Sequence, residues 1–164
     1  MQCYSNSLCI GVYLVNKIIT KWGKAKMLKK DFPILEFDPI SRAKIEPSKL
    51  IKNRNVPEHC VITFFSDSIN RMLNEGKLKK IAEFYTTTVV LPIYETKFNG
   101  RPIGIVQGYL GAAGSGGQLE ELIAIGFKKF IVCGGAGVLR KDIQVGHLVV
   151  PYSAIRDEGL SYHY

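Results

Sequence analysis

The sequence predicts an α/β protein with a mixed, mostly parallel central sheet, and the arrangement of its apolar runs supports this prediction. Ile103–Val106, Phe130–Cys133 and His147–Pro151 have the length and composition of strands. A helix-like segment, Gln118–Ile125, lies between the first two runs and ends at Gly126. Because parallel strands need a long crossover connection, the order strand, helix, strand favours a parallel pair.

The region before these runs begins with a buried strand and a helix. Cys60–Phe65 is a continuous apolar run rich in strand-forming residues. Ser66 or Ser68 is expected to cap a helix that continues to Leu73, and Gly76 is expected to end it.

A helix and three further strands are expected next. Lys77–Phe84 is interpreted as a second short helix, while Thr87–Pro92 and Ile93–Phe98 are interpreted as strands. Asn99-Gly100 predicts a tight hairpin turn into the strand Arg101–Val106.

Length and charge predict one domain preceded by a basic arm. The chain has 164 residues and a formal net charge of +8. Six lysines and no acidic residue lie within residues 17–30, so residues 31–164 carry 16 basic and 14 acidic residues. We therefore expect an irregular arm over residues 1–30, a single domain over residues 31–164, and no nucleic-acid partner.

The remaining composition points to a cytoplasmic protein that does not cross a membrane. Its longest apolar runs fall short of the roughly 18 residues that span a bilayer. None of the four cysteines forms a C-x-x-C pair, which favours a reducing compartment over a zinc or redox motif.

Two glycine-rich segments follow predicted strands. Gly108–Gly117 is predicted to be a loop, and Gly134–Gly137 is predicted to be a turn. Open α/β sheets bind ligands beyond the carboxyl ends of their strands, and backbone amides there suit ribose or phosphate oxygens. If the two strands are neighbours, the segments form one cleft. The alternative is that the glycines only permit close packing of helix and sheet.

Two sets of polar side chains have competing interpretations. Glu120 and Glu121 are either acids of a first helical turn or inward-facing side chains that accept backbone hydrogen bonds. Asp157, Glu158 and His163 form a polar cluster whose spacing is not diagnostic of a metal site, so no metal is expected.

Taken together, these segments resemble the nucleoside phosphorylase family, which includes purine nucleoside phosphorylases, uridine phosphorylases and related nucleosidases. The matching segments, in family order, are Gly108–Ala113, Leu119–Gly126, Cys133–Leu139, Val145–Pro151 and Arg156–Gly159. The resemblance implies a three-layer α/β/α sandwich. It also implies a pentosyltransferase, uridine phosphorylase-like, that cleaves the N-glycosidic bond of purine or pyrimidine nucleosides. Phosphate would be the co-substrate, no cofactor would be needed, and the protein would be a homo-oligomer.

The resemblance further implies which residues form the site. The first loop, Ser66-Asp67-Ser68, would bind phosphate. The glycine turn Gly134–Gly137 would lie beside ribose and the nucleophile, and Arg156–Gly159, after the last predicted strand, would form the rim. The residues expected to bind substrate or phosphate are Ser66, Asp67, Gly108, Gly111, Gly134, Gly135, Ala136, Gly137, Arg156 and Glu158.

The sequence departs from the family pattern in two respects. Asn70 and Val132 stand where phosphorolytic members carry arginines, so a phosphate dianion loses charge-assisted partners. Family chains also continue well beyond the position of Tyr164, and no residue can be assigned as the acid that protonates the base. We therefore expect an incomplete domain. Hydrolysis by water and a non-catalytic, nucleoside-binding remnant remain open alternatives.

Overall fold

A computed structural model describes residues 8–10 and 42–164, and the described strands form one six-stranded sheet in the order β1-β6-β2-β5-β4-β3. The strands are β1 (Leu8–Ile10), β2 (His59–Thr63), β3 (Lys79–Tyr85), β4 (Val90–Phe98), β5 (Arg101–Gln107) and β6 (Lys129–Ala136). The helices are α1 (Pro47–Leu50), α2 (Ser66–Asn74), α3 (Ala112–Ile125) and a 3-10 turn (Ser161–His163). Apart from β1, the predicted irregular arm over residues 1–30 lies outside the described residues.

The sheet is mixed, as predicted, but it is not mostly parallel. β2 pairs in parallel with β5 on one side and with β6 on the other. The β3–β4, β4–β5 and β1–β6 pairs are antiparallel. The physical reason is connection length, since short turns join β3, β4 and β5 and only antiparallel strands can be joined in this way. The α/β class and the hairpin turn at Asn99-Gly100 are confirmed.

The core lies between the strands β2 to β6 and the last turns of α3. Val106 and Ile93 are completely buried, and Leu122 of α3 packs into the same cluster. The ring of Phe127, 1% exposed, lies against Gly104, where an added Cβ would stand 2.4 Å from the ring atom Cε1. The absence of a side chain at Gly104 is therefore a packing requirement.

α3 begins six residues earlier than predicted, so most of the glycine-rich segment is helical rather than a loop. Gly111 adopts a φ of 83° immediately before the helix, a conformation that favours glycine, and its carbonyl accepts the hydrogen bond of the Ser115 amide. Glycine has low helix propensity, but neighbouring side chains occupy the space over Gly114 and Gly116. Tertiary packing thus overrides propensity here, and Glu120 is not a first-turn residue.

β3 replaces the short helix predicted over Lys77–Phe84. Ala82 and Phe84 alternate toward the core and pair with Ile93 and Leu91 of β4. In so short a segment the apolar residues fit a helical period as well as an alternating one, and the neighbouring strand decides between them. The two strands predicted on either side of residue 92 form the single strand β4.

The serine caps predicted for α2 are wrong. Ser66 is the first residue of the helix, and the capping position belongs to Phe65, which has no side-chain oxygen. The Phe65 carbonyl accepts the amides of Ser68 and Ile69, so the turn out of β2 winds directly into the helix. The predicted end is confirmed, because Gly76 has a φ of 65° and donates its amide to Leu73.

The strand predicted at His147–Pro151 does not form. Only Val149 occupies an isolated bridge position, and Leu148 and Val150 are 68% and 59% exposed. A run of strand-forming residues becomes a strand only when a neighbouring strand pairs with its backbone amides and carbonyls. Residues 147–151 do not belong to the described sheet. Leu139, Tyr152 and Ile155 are also highly exposed, so this segment presents apolar surface. No helix among the described residues is long and apolar enough to cross a membrane.

Burial should make Cys60 chemically inert in the native protein. Its side chain is 1% exposed, and desolvation raises the pKa of the thiol to about 12. Because the thiolate is the nucleophile, we expect negligible alkylation of Cys60 by iodoacetamide near pH 8 and complete alkylation after unfolding in urea. Peptide mass mapping measures both, and rapid native labelling at Cys60 would contradict the burial.

Two glycine-to-alanine substitutions should have opposite effects on stability. Gly104→Ala should lower the free energy of unfolding by about 1–3 kcal/mol, because its Cβ would overlap the buried ring of Phe127. Gly117→Ala, in the interior of α3 with no atom within 4 Å of the new Cβ, should raise it by up to about 1 kcal/mol. Urea denaturation of both variants measures these changes, and equal midpoints would contradict the packing assigned to Gly104.

Candidate functional site

The candidate site lies at the sheet edge where four strands end. β5 and β6 run parallel to β2. β3 points the same way, because it is antiparallel to β4, which is itself antiparallel to β5. The carboxyl ends of these four strands therefore meet at one edge, which is where open α/β sheets bind their ligands. The segments after β2, β5 and β6 contain residues predicted to form the site.

The two glycine segments are separated by β2 and converge on the ring of Phe64. β5 and β6 flank β2 and are not neighbours, so the condition under which the two segments were expected to form one cleft is not met. A Cβ at Gly108 would stand 2.7 Å from the Phe64 ring, and one at Gly134 would stand 3.1 Å from it. Both glycines thus make room for one aromatic side chain, which supports the close-packing interpretation at these two positions.

β6 continues through most of the predicted glycine turn. Gly134, Gly135 and Ala136 are strand residues that pair with β1, whereas Gly137 is the first residue beyond the strand. The Phe64 amide donates to the Cys133 carbonyl over 2.9 Å, which extends the parallel pairing to the end of β2. Because these three residues pair as strand and no turn is assigned at Gly137, the predicted turn over Gly134–Gly137 is wrong.

The loop after β5 is held by a buried glutamine that the sequence interpretation did not identify. Gln118, 1% exposed, accepts the Tyr109 amide at Oε1 over 2.9 Å and donates from Nε2 to the Gln107 carbonyl over 2.8 Å. The Gly108 amide between them donates to the Thr63 carbonyl over 2.8 Å. The backbone on both sides of Gly108 is therefore fixed, which is the role that the inward-facing interpretation gave to Glu120 or Glu121.

Ser66 and Asp67 lie at the start of α2 with exposed side chains. The Phe65 amide immediately before them donates to the hydroxyl of Thr63 over 3.2 Å. Asp67 lies in the first turn of α2, where the positive end of the helix dipole stabilises a carboxylate. The structure thus places Asp67 beside the carboxyl end of β2, where a ligand at this edge could meet it.

The predicted rim, Arg156–Gly159, continues into Leu160–Tyr164; the whole of Arg156–Tyr164, here called the rim segment, is anchored on α3. The side chain of Leu160 lies over Gly116, where an added Cβ would stand 2.4 Å from its Cδ2 atom. The Tyr164 hydroxyl donates to Glu120 over 2.7 Å, and burial followed by this hydrogen bond raises the pKa of Tyr164 to about 12. Because Gly116 and Glu120 are one helical turn apart, the segment lies along one face of α3.

Arg156 and Glu158 are engaged within the rim segment itself. The Arg156 guanidinium lies 5.1 Å from the ring centre of Tyr162, whose hydroxyl donates to the Arg156 carbonyl. Glu158 accepts hydrogen bonds from the Leu160 amide and from the amide and hydroxyl of Ser161. The Ser161 hydroxyl and then its amide lower the pKa of Glu158. Glu158 therefore stays ionised near neutral pH and is poorly suited to donate a proton.

The described residues form no metal site, and two cavities lie away from the predicted site residues. No group of three His, Cys, Asp or Glu side chains comes together there in a way that could hold a metal ion. Two cavities of about 290 and 300 Å³ lie along the edge strand β3, and both are lined by Arg54, Glu83 and Tyr85. Neither is lined by a predicted site residue, so the strand ends remain the candidate site.

Comparison with known proteins identifies the class to which this fold and edge belong. The sequence profile of the phosphorylase superfamily matches residues 58–164, which include β2 to β6, α2, α3 and the rim segment. The chain belongs to the phosphorylase superfamily.

Individual relatives carry nucleoside phosphorylase names. A guanosine phosphorylase of Halorubrum lacusprofundi is 26% identical over 119 residues, which are 73% of this chain and 48% of the relative. Uridine phosphorylases of Thermococcus kodakarensis and Haemophilus influenzae are 35% and 29% identical over 68 and 82 residues. These alignments cover 42% and 50% of this chain, and 24% and 32% of the relatives. The chain thus spans less than half the length of these relatives, and no solved structure matches it significantly.

Two residues of this edge, Phe64 and Gln118, were missed because their roles depend on contacts between distant segments. Phe64 looked like one more apolar residue of a strand, and Gln118 like the polar start of a helix. A buried polar residue near glycines is a signal of backbone bridging, but burial is not visible in the sequence. The glycines themselves were the available signal for Phe64, since each marks a place where a neighbour comes close.

Replacing Gln118 should destabilise the protein more than the same substitution on the surface. Gln118→Leu would remove the partner of the Tyr109 amide and of the Gln107 carbonyl, both on half-buried residues, at a cost of up to about 1–3 kcal/mol for each group. Gln144→Leu, at an exposed position, should change stability by at most about 0.5 kcal/mol. Thermal and urea unfolding measure both, and similar stabilities for the two variants would contradict the bridging role.

Proposed function

We propose that this chain carries the substrate-binding edge of a nucleoside phosphorylase that cleaves the N-glycosidic bond of purine or pyrimidine nucleosides with phosphate. The observation that carries the proposal is the convergence of the loops after β2, β5 and β6 at one edge of the sheet. The superfamily match and the names of the three relatives support it. The substrate is proposed to be uridine-like, in line with two of those names.

The proposed binding residues are backbone positions at the strand ends and a few side chains. Ser66 and Asp67 would lie next to the phosphate, and Gly134–Gly137 would lie beside ribose. Gly108 and Gly111 belong to the adjacent loop, where Gln118 restrains the backbone. Arg156 would lie at the rim. Such a set can bind and orient a nucleoside with little rearrangement, which is how positioning lowers a reaction barrier.

The wider assignments are also proposals. The complete fold is proposed to be a three-layer α/β/α sandwich in which residues 31–164 belong to a single domain. The enzyme is proposed to need no cofactor, to act in the cytoplasm and to assemble as a homo-oligomer. Size-exclusion chromatography with light scattering tests the last of these.

A non-catalytic nucleoside-binding protein is the second candidate, and the state of Glu158 favours it. Cleavage of the glycosidic bond is helped by an acid that protonates the departing base. Glu158 is held ionised by three hydrogen bonds, so it does not supply that proton. Nucleoside binding by calorimetry without release of base would establish this candidate.

A nucleoside panel assayed with and without phosphate tests the main proposal. Phosphate-dependent release of free base together with ribose 1-phosphate is the expected result. Base release without phosphate would indicate hydrolysis instead. No release and no binding of any nucleoside at high protein concentration would exclude the proposed function for this chain.

Substitution of Asp67 should distinguish the two nucleophiles by the direction of the effect. If phosphate is the nucleophile, Asp67→Asn should leave KM for phosphate unchanged or lower it, because a negative charge near the dianion is removed. If Asp67 activates water, the same variant should lose about 10²–10⁴-fold in rate. Glu75→Gln, at the opposite end of α2, is the matched control and should behave as wild type.

A further inference from the structure

Tyr109, the residue after Gly108, is tied to its surroundings at three points. Its amide donates to Gln118 Oε1 over 2.9 Å, and its carbonyl accepts the hydroxyl of Ser115 over 2.8 Å. Its hydroxyl lies 2.9 Å from the hydroxyl of Thr88, so the two share a hydrogen bond. Every polar group of this residue is therefore paired within the strand-end region.

The ring of Tyr109 is confined as well. It meets the buried ring of Phe84 edge-on, with centroids 6.1 Å apart and planes at 72°. On another side it lies against α3 at Gly114, where an added Cβ would stand 2.1 Å from the ring atom Cδ1. The phenol hydroxyl is thus directed at one place, the turn between β3 and β4.

That turn is ordered so that it presents Thr88 to the tyrosine. The Thr86 hydroxyl oxygen accepts the amides of Thr88 and Val89 at 3.2 and 2.9 Å, and the hydroxyl donates to the Val89 carbonyl over 2.8 Å. β3 and β5 are not neighbours, because β4 lies between them. The turn leads directly into β4, whose pairing with β5 ends at Ile93 and Val106. The Tyr109–Thr88 hydrogen bond therefore joins the two segments beyond the last paired residues of these neighbouring strands.

We propose that Tyr109 and Thr88 are positioning residues of the nucleoside site. Their hydrogen bond holds the loop after β5 and the turn after β3 at a fixed separation, so that the nucleoside meets a preformed rim. Ordering a loop on binding costs conformational entropy, which lowers affinity; loops that are already ordered avoid this cost. The inference rests on the proposed function, and it assigns to two side chains a role that neither the glycine segments nor the first loop fills.

A double-mutant cycle with nucleoside binding as its readout tests the inference on the full chain. Tyr109→Phe and Thr88→Val each remove the shared hydrogen bond while keeping the ring or the side-chain shape. Each should raise the Kd for uridine or guanosine by about twofold to tenfold, measured by calorimetry with phosphate present. The double variant should show no additional loss, because the same contact is already gone. Thr88→Ser, which keeps a hydroxyl, should restore wild-type affinity.

The matched control is Tyr85→Phe. Tyr85 lies at the end of β3 and hydrogen-bonds Glu83, so this variant removes a tyrosine hydroxyl without touching the loop after β5. Its Kd should equal that of wild type. Circular dichroism and thermal unfolding confirm that each variant is folded, and Thr88→Ser keeps the test decisive if Thr88→Val does not fold.

The outcomes separate this inference from the proposed function. If wild type binds nucleoside and both single variants bind it equally well, the positioning role is wrong while the proposed function stands. Full additivity in the double variant would also overturn it, because the two side chains would then act independently. If wild type binds no nucleoside, the proposed function fails and the positioning role fails with it.

Discussion

β2 pairs in parallel with a strand on each side, and this arrangement determines where the other parts of the candidate site lie. The pairing continues past the strand, through the Phe64 amide on one side and the Thr63 carbonyl on the other. The ring of Phe64 then occupies the space between Gly108, in the loop after β5, and Gly134, within β6. A side chain at Gly108 would overlap this ring and one at Gly134 would crowd it, so the glycines and the aromatic ring depend on each other.

A second layer of restraint surrounds this edge and consists of polar contacts rather than packing. Gln118 fixes the backbone around Gly108, Tyr109 joins the loop to the turn after β3, and Glu158 orders the start of the 3-10 turn. The side chain of Gln118 is buried, so its two hydrogen bonds specify one arrangement of the loop, because any alternative would leave its donor or acceptor unpaired. A preformed edge of this kind suits ligand binding, whereas the described residues offer no equally clear acid for bond cleavage.

The segment between β6 and the 3-10 turn contrasts with this ordered edge. It has strand-forming residues and high apolar exposure but no place in the described sheet. Its composition matched the superfamily pattern well enough to identify the family, yet its conformation could not be inferred, because a strand needs a partner as well as propensity. The same residues therefore helped to indicate the family but did not predict the local structure.

The sequence by itself determined the α/β class, β2, β5, β6, the hairpin at Asn99-Gly100 and the family. These features depend on local patterns of apolar residues and glycines, which can be recognised without knowing what each segment packs against. Only the tertiary structure decided that β3 is a strand, that α3 begins at Ala112, and that Phe64 and Gln118 organise the strand ends. The physical reason is that each of these outcomes depends on a contact with a distant segment, and such contacts outweigh local propensity.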